Sequence, residues 1–195
     1  LSLIDSKYEV DTTDSETIHF GGITNRMNNS CISNCHNMGD IMVNSEGRAY
    51  VGGIVGNTGV GENIVINCTN CGNLTGTSVG GIVSIGNSVS IINCYNTGNI
   101  SVYASSDVGA KAGGVAATSR GEITNCYNKG TVDLVFENSL ENYLYSHYAA
   151  GIVGDGYNTD VTNCNNSGNI SCNAVDSSVY LGGVVGMTSN GTISN

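Results

Sequence analysis

The sequence predicts an all-β chain folded as a right-handed parallel β-helix, a β-solenoid of about six coils with three short strands per coil. Three observations carry this. The block Asn-Cys-x-Asn-x-Gly-x-[Ile/Leu/Val] occurs five times, running from Asn34-Cys35 to Ile41, Asn67-Cys68 to Leu74, Asn93-Cys94 to Ile100, Asn125-Cys126 to Val132 and Asn163-Cys164 to Ile170. A pair of small residues alternates with it, starting at Gly21, Gly52, Gly80, Gly113, Ala150 and Gly182 and always followed by Ile or Val. Between successive block cysteines the intervals are 33, 26, 32 and 38 residues, so the blocks are constant while the segments between them stretch. Stacked repeats behave in this way, because strand positions are tied to the neighbouring coils and loops are free.

The three strands follow from the pattern within one unit. The first is the small pair with its β-branched residue, at Ile23, Ile54, Ile82, Val115, Ile152 and Val184. The second leads into Cys and places Ile or Val three residues before it, at Ile32, Val65, Ile91, Ile123 and Val161. The third starts six residues after Cys and alternates apolar with polar, as in Ile100-Ser101-Val102 and Val132-Asp133-Leu134. Such strands are too short to stand alone. Stacked at ~4.8 Å, six coils make a column roughly 30 Å long. The 28 glycines disfavour helix by about 1 kcal/mol each, and the absence of Pro suits strands that need every N–H. Right-handedness follows from the chirality of parallel crossovers.

The corners fall on Gly and Asn. Gly39, Gly72, Gly98, Gly130 and Gly168 are expected to bend with positive φ. Asn37, Asn70, Asn96, Asn128 and Asn166 are expected to bond their amides to the Asn above and below, a structural ladder. Cys35, Cys68, Cys94, Cys126 and Cys164 share one register and so stack as a second column. Parallel neighbours sit near the ~4.8 Å strand spacing, beyond the ~3.5–4.5 Å between Cβ atoms of a disulfide, so these thiols are expected to be reduced, inward-facing fillers. Cys68-x-x-Cys71 has zinc-like spacing but no second pair, and no metal site or cofactor is assigned.

The blocks Gly53-Ile54-Val55-Gly56, Gly151-Ile152-Val153-Gly154 and Gly183-Val184-Val185-Gly186, with the Ile-x-Asn-Cys-Tyr-Asn-x-Gly-Asn block between them, resemble the GLUG repeat of bacterial surface proteins. The resemblance extends over nearly the whole chain. Gly22-Ile23-Thr24-Asn25 and Gly114-Val115-Ala116-Ala117 depart from it. It implies a secreted or wall-bound bacterial location, as in adhesin-like proteins and the non-catalytic regions of IgA-type metallopeptidases. It transfers no catalytic residue.

Both ends fall within a unit. Thr192-Ile193-Ser194-Asn195 aligns with the residues that lead into Cys126 and Cys164, so residues 1–195 read as a single solenoid segment of a longer protein, with neighbouring domains as its partners. Six Lys and Arg against sixteen Asp and Glu, a net charge of -10, argue against a nucleic-acid partner. No apolar run reaches the ~20 residues of a membrane span, so no membrane insertion is expected.

Function is expected in the variable segments before each small pair, which occupy one place in every coil and should project from one edge. Nine of the twelve aromatic residues and ten of the sixteen acids fall there. The candidate binding residues are Phe136, Glu137, Glu141, Tyr143, Tyr145, His147 and Tyr148, with Tyr103 and Tyr180 beside them. Tyr rings over an acidic edge point to a host protein or glycan as partner. The expected role is a non-catalytic stalk or adhesin-like module. A carbohydrate-active β-helix enzyme, lyase or hydrolase, is the alternative, and it needs a carboxylate pair, or Ca²⁺ with a basic residue. Asp155 and Asp160 are expected to stand in one coil without matching acids on either side, and Arg26, Arg48, Lys111, Arg120 and Lys129 are scattered along the chain. No His-Glu-x-x-His occurs, and no catalytic residue is assigned.

Overall fold

The computed structural model describes residues 1–4, 6–13, 16–104, 109–136, 145–173 and 178–195. All strand pairings among them are parallel, no helix is present, and the chain winds as a parallel β-helix. Gly21, Gly52, Gly80, Gly113, Ala150 and Gly182 stand in one register from coil to coil.

Each coil contributes to four sheets where the sequence predicted three strands. Sheet I consists of two-residue strands just after Cys, His36–Asn37, Thr69–Asn70, Tyr95–Asn96, Tyr127–Asn128 and Asn165–Asn166, with Ser2–Leu3 at its edge. Sheet II holds the predicted third stretch, from Lys7–Thr12 to Ile170–Cys172. Sheet III is built from residues just before each small pair: Ile18–Gly21, Ala49–Gly52, Ser78–Gly80, Lys111–Gly113, His147–Ala150 and Val179–Gly182. Sheet IV merges the first two predicted stretches. They run as one strand in Val83–Ile92, Ala116–Thr124 and Val153–Thr162, with the pairing shifted between Gly86 and Val89 and between Ser119 and Gly121. Sheet I was hidden because two residues carry no alternation. Sheet III was hidden because its outward residues vary from coil to coil, although several of its inward ones (Ala49, Val51, Val79, Ala112, Ala149) are small and apolar.

The corner glycines are needed for a different reason from the one predicted. Among the described residues positive φ at Gly is confined to Gly61 and Gly121. The left-handed corner belongs to the Asn before each Cys (Asn34, Asn67, Asn93, Asn125 and Asn163, with φ of 52–54°), because a short polar side chain tolerates that region. Gly98 is required by close approach: a Cβ there would lie 1.9 Å from the carbonyl oxygen of Gly72 in the coil below.

The amide ladder is continuous. Asn37 Nδ2 donates to Asn70 Oδ1 at 2.7 Å, Asn70 to Asn96 at 2.7 Å, Asn96 to Asn128 at 2.7 Å and Asn128 to Asn166 at 2.9 Å. The second N–H of each amide donates to the carbonyl of its own corner Gly, as in Asn96 to Gly98 at 2.8 Å. All five bond in the same sense, so their dipoles add. The ladder abuts the second residue of the small pair, where a Cβ on Gly53 would lie 2.5 Å from Asn70 Cγ and one on Gly81 would lie 2.6 Å from Asn96 Cγ.

This contact crosses the interior and separates two apolar clusters. One contains the Cys column with Ile54, Ile82, Ile91, Ile123 and Val161. The other lies between sheets II and III and contains Ile41, Leu74, Ile100, Leu134 and Phe136. Each fully buried aliphatic side chain contributes about 1.5–3 kcal/mol to folding. The thiols are free, and Cys68, Cys94 and Cys126 are fully enclosed. Hydrogen bonding to Cys94 and burial raise the Cys68 thiol pKa, and hydrogen bonding to Cys164 and Cys94 with burial raises that of Cys126. Cys31 and Cys71 are exposed, so Cys68 and Cys71 do not share a site.

Two outcomes are expected. In the folded protein a maleimide labels Cys31 and Cys71 quickly and Cys68 and Cys126 only on unfolding; equal labelling rates, read by peptide mass spectrometry, would contradict the enclosed column. Asn96→Ala leaves Asn70 without its acceptor and Asn128 without its donor, and lowers stability by about 3 kcal/mol. In urea denaturation its midpoint falls further than that of Asn166→Ala, where the ladder is half-buried.

Candidate functional site

Alternation along sheet III sends one residue per coil outward, two positions before the small pair. This row is His19, Tyr50, Ser78, Lys111, Tyr148 and Tyr180. Past the corner, sheet IV presents a second row five positions after the first residue of the pair: Arg26, Asn57, Ile85, Thr118, Asp155 and Met187. The corner between the rows is made of small residues, so the rows flank a groove along the column. One stretch of it has a volume of about 500 Å³ and is lined by Arg48, Tyr50, Ser78, Lys111, Arg120, Tyr145, Tyr148 and Asp155, among others.

Aromatic rings stand at both ends of the sheet III row. His19 and Tyr50 stack at 5.0 Å between centroids, and Tyr148 and Tyr180 stack at 5.2 Å. Between them Lys111 Nζ bonds Asp155 Oδ2 at 2.6 Å and lies 5.8 Å from the centre of the Tyr148 ring. Arg120 lies over Tyr157 at 5.2 Å. Neither Arg48 nor Arg120 has a carboxylate partner among the described residues. Three of the six basic residues therefore line this groove, against one carboxylate among its described lining residues. Ser78 is only 2% exposed, and its Oγ has no hydrogen-bond partner among the described residues.

The predicted edge residues separate. Phe136 and His147 are core residues, 8% and 0% exposed, packed edge to face at 4.8 Å. Both strands turn these side chains inward, which corrects their placement on a binding edge. Tyr8 and Phe20 also pack against the second apolar cluster. Tyr148 and Tyr180 face outward in the groove row, and Tyr145 lines the groove from the preceding loop. Tyr103 lies on sheet II, in a small hollow with Asn44 and Thr77. Glu137, Glu141 and Tyr143 lie outside the described residues.

The described Tyr residues of the groove stand beside cations, while Glu9 and Asp11 lie on sheet II; Asp5, Asp14, Asp107, Glu137, Glu141 and Asp176, six of the ten acids expected on the edge, lie outside the described residues. Arg48, Lys111 and Arg120 were missed as a group because 72 residues separate the first from the last. The available signal was register, because Lys111 precedes its small pair by the same two positions as Tyr50, Tyr148 and Tyr180. Among the described residues no three His, Cys, Asp or Glu side chains converge as a metal site. Comparison with known proteins returned no match to a family model, a curated protein or a solved structure.

His147 supports the groove from beneath. Its Nδ1 accepts a hydrogen bond from the Ala110 N–H at 3.1 Å, and burial lowers its pKa below the ordinary 6.5. His19 is lowered too, by burial and then by Arg26. A lowered folded pKa means that the unfolded chain binds the proton more readily, so stability is full above about pH 6.5 and declines as pH falls below it. Thermal melts from pH 7.5 to 5 should show this decline, and His147→Gln, which keeps an acceptor, should flatten it. An unchanged pH dependence in that variant would remove His147 as a cause.

Proposed function

We propose that this chain is a non-catalytic repeat module of a secreted or wall-anchored bacterial surface protein, a rigid spacer that presents the groove between sheets III and IV as an adhesin-like binding surface. The observation that carries the reading is the composition of the groove: rings, cations and a hydroxyl held in register by the coils. Its described lining has one carboxylate, Asp155, already engaged by Lys111. Glycoside hydrolysis by the usual route needs two carboxyl groups flanking the bond, a pairing that this lining does not supply; Asp160, expected to stand without a matching acid, is in fact paired in register with Glu122 of the adjacent coil on sheet IV, outside that lining. The bacterial surface location and the host protein or glycan partner draw support from the resemblance of Gly53-Ile54-Val55-Gly56 and its counterparts to the GLUG repeat.

The test is a binding array of glycans and host proteins, probed with the wild type and with Tyr145→Ala plus Tyr148→Ala. Retention by the wild type and its loss in the double variant, with circular dichroism unchanged, is expected. Incubation with the bound polysaccharide should release no new reducing ends or unsaturated products. Steady product release that disappears in Asp155→Asn would replace the binding module with an enzyme.

A further inference from the structure

The sign of the groove conflicts with the charge of the chain, and this narrows what it accepts. In a protein of net charge -10, a groove whose described charged lining is Arg48, Lys111, Arg120 and Asp155 is a local cationic site. Lys111 is neutralised by Asp155, so the charge on offer comes from the two arginines. Arginine presents a planar fork that matches carboxylate and sulfate oxygens. Ser78 adds a separate sign of a missing partner. A buried hydroxyl without a hydrogen bond costs about 1–3 kcal/mol, and this one stands on the outward row of sheet III, in the lining of the groove.

The shape selects among anionic ligands. The rows repeat at every coil, so the groove is linear, and Arg48 and Lys111 belong to coils two steps apart, ~9.6 Å along the column. A polymer of rings lying along the axis meets a side chain at the same register position at each step, with a chemistry that varies from coil to coil. Amide and hydroxyl groups of Asn87, Ser78, Thr118 and Ser146 lie among the cations and suit a polyhydroxyl chain. An acidic peptide would seek free backbone donors, but here the central strands of sheets III and IV are paired on both sides. A nucleic acid carries a charge on every residue, more than two arginines can match within so acidic a chain.

We propose that the groove between sheets III and IV is a site for a linear acidic glycan, with Arg48 and Arg120 taking its carboxylate or sulfate groups and Ser78 bonding a ring substituent. This rests on the groove being a binding surface and adds the class of ligand. The anionic group is common to uronate-bearing and sulfated chains, and the experiment separates them.

Binding is measured by calorimetry at low and physiological salt with oligogalacturonate, sulfated dextran oligosaccharides, neutral dextran, an oligothymidylate and polyglutamate. The wild type is expected to bind at least one acidic glycan saturably, at least about tenfold more tightly than the oligothymidylate or polyglutamate, and more weakly as salt rises. Preference for oligogalacturonate or for sulfated dextran identifies the anion. Arg48→Ala plus Arg120→Ala, both at exposed positions, should weaken that binding at least about tenfold, while Lys7→Ala on sheet II leaves it unchanged. Equal affinity for all polyanions, or full binding by the double arginine variant, overturns the proposal. Binding of neutral dextran that survives the arginine changes but is lost in Tyr145→Ala plus Tyr148→Ala overturns the ligand class and leaves the groove as a binding surface. No binding in any arm, together with an empty protein and glycan array, overturns both.

Discussion

The structure depends on one contact, that of the asparagine amides with the glycines across from them. Every buried amide in the ladder has both N–H groups satisfied, one by the next Asn and one by its own corner carbonyl. A buried primary amide left unpaired is costly, so the ladder fixes both the height and the rotation of each coil against the next. Its amide carbons lie where a side chain on Gly53, Gly81 or Gly114 would stand, so the small pair and the ladder require each other. Two separate apolar clusters follow, each narrow enough for Ile, Val, Leu and Cys to fill from facing sheets.

Rigid register is what turns this scaffold into a surface. Because Gly21, Gly52, Gly80, Gly113, Ala150 and Gly182 are held in line, residues at fixed offsets from them are held in line as well. Outward positions are free to vary without disturbing the stack, which is why one row contains His, Tyr, Ser and Lys while inward neighbours such as Val51, Val79, Ala112 and Ala149 remain small and apolar. The groove thus has a conserved geometry and a chemistry set coil by coil.

Much of the architecture was legible in the sequence. The strand leading into Cys, the alternating strand after Gly and the Asn and Cys columns all correspond to repeated residues, and a repeated residue in a solenoid is one that touches its own copies. What escaped notice was of two kinds. Features with too few residues to show a period, such as the two-residue strands ending at Asn70 or Asn96, left no pattern to read. Features that do not repeat, such as the groove-facing residues of sheet III, resembled loop. Phe136 and His147 were misplaced for the second reason: their segment is rich in polar and aromatic residues, yet both lie on strand ends whose parity turns them into the core.

The sequence by itself determined the repeat, the parallel stacking and the identity of the interior columns, because those properties depend on like residues at constant spacing. Only the tertiary structure decided which residues meet across the corner between sheets III and IV. That meeting brings Arg48, Lys111 and Arg120 into the lining of one groove, and it depends on how far the coil turns between Gly pair and strand. The same is true of the glycines. Their positions were visible in the sequence, but the carbonyl 1.9 Å from where a Cβ of Gly98 would stand belongs to another coil and became apparent only once the coils were stacked.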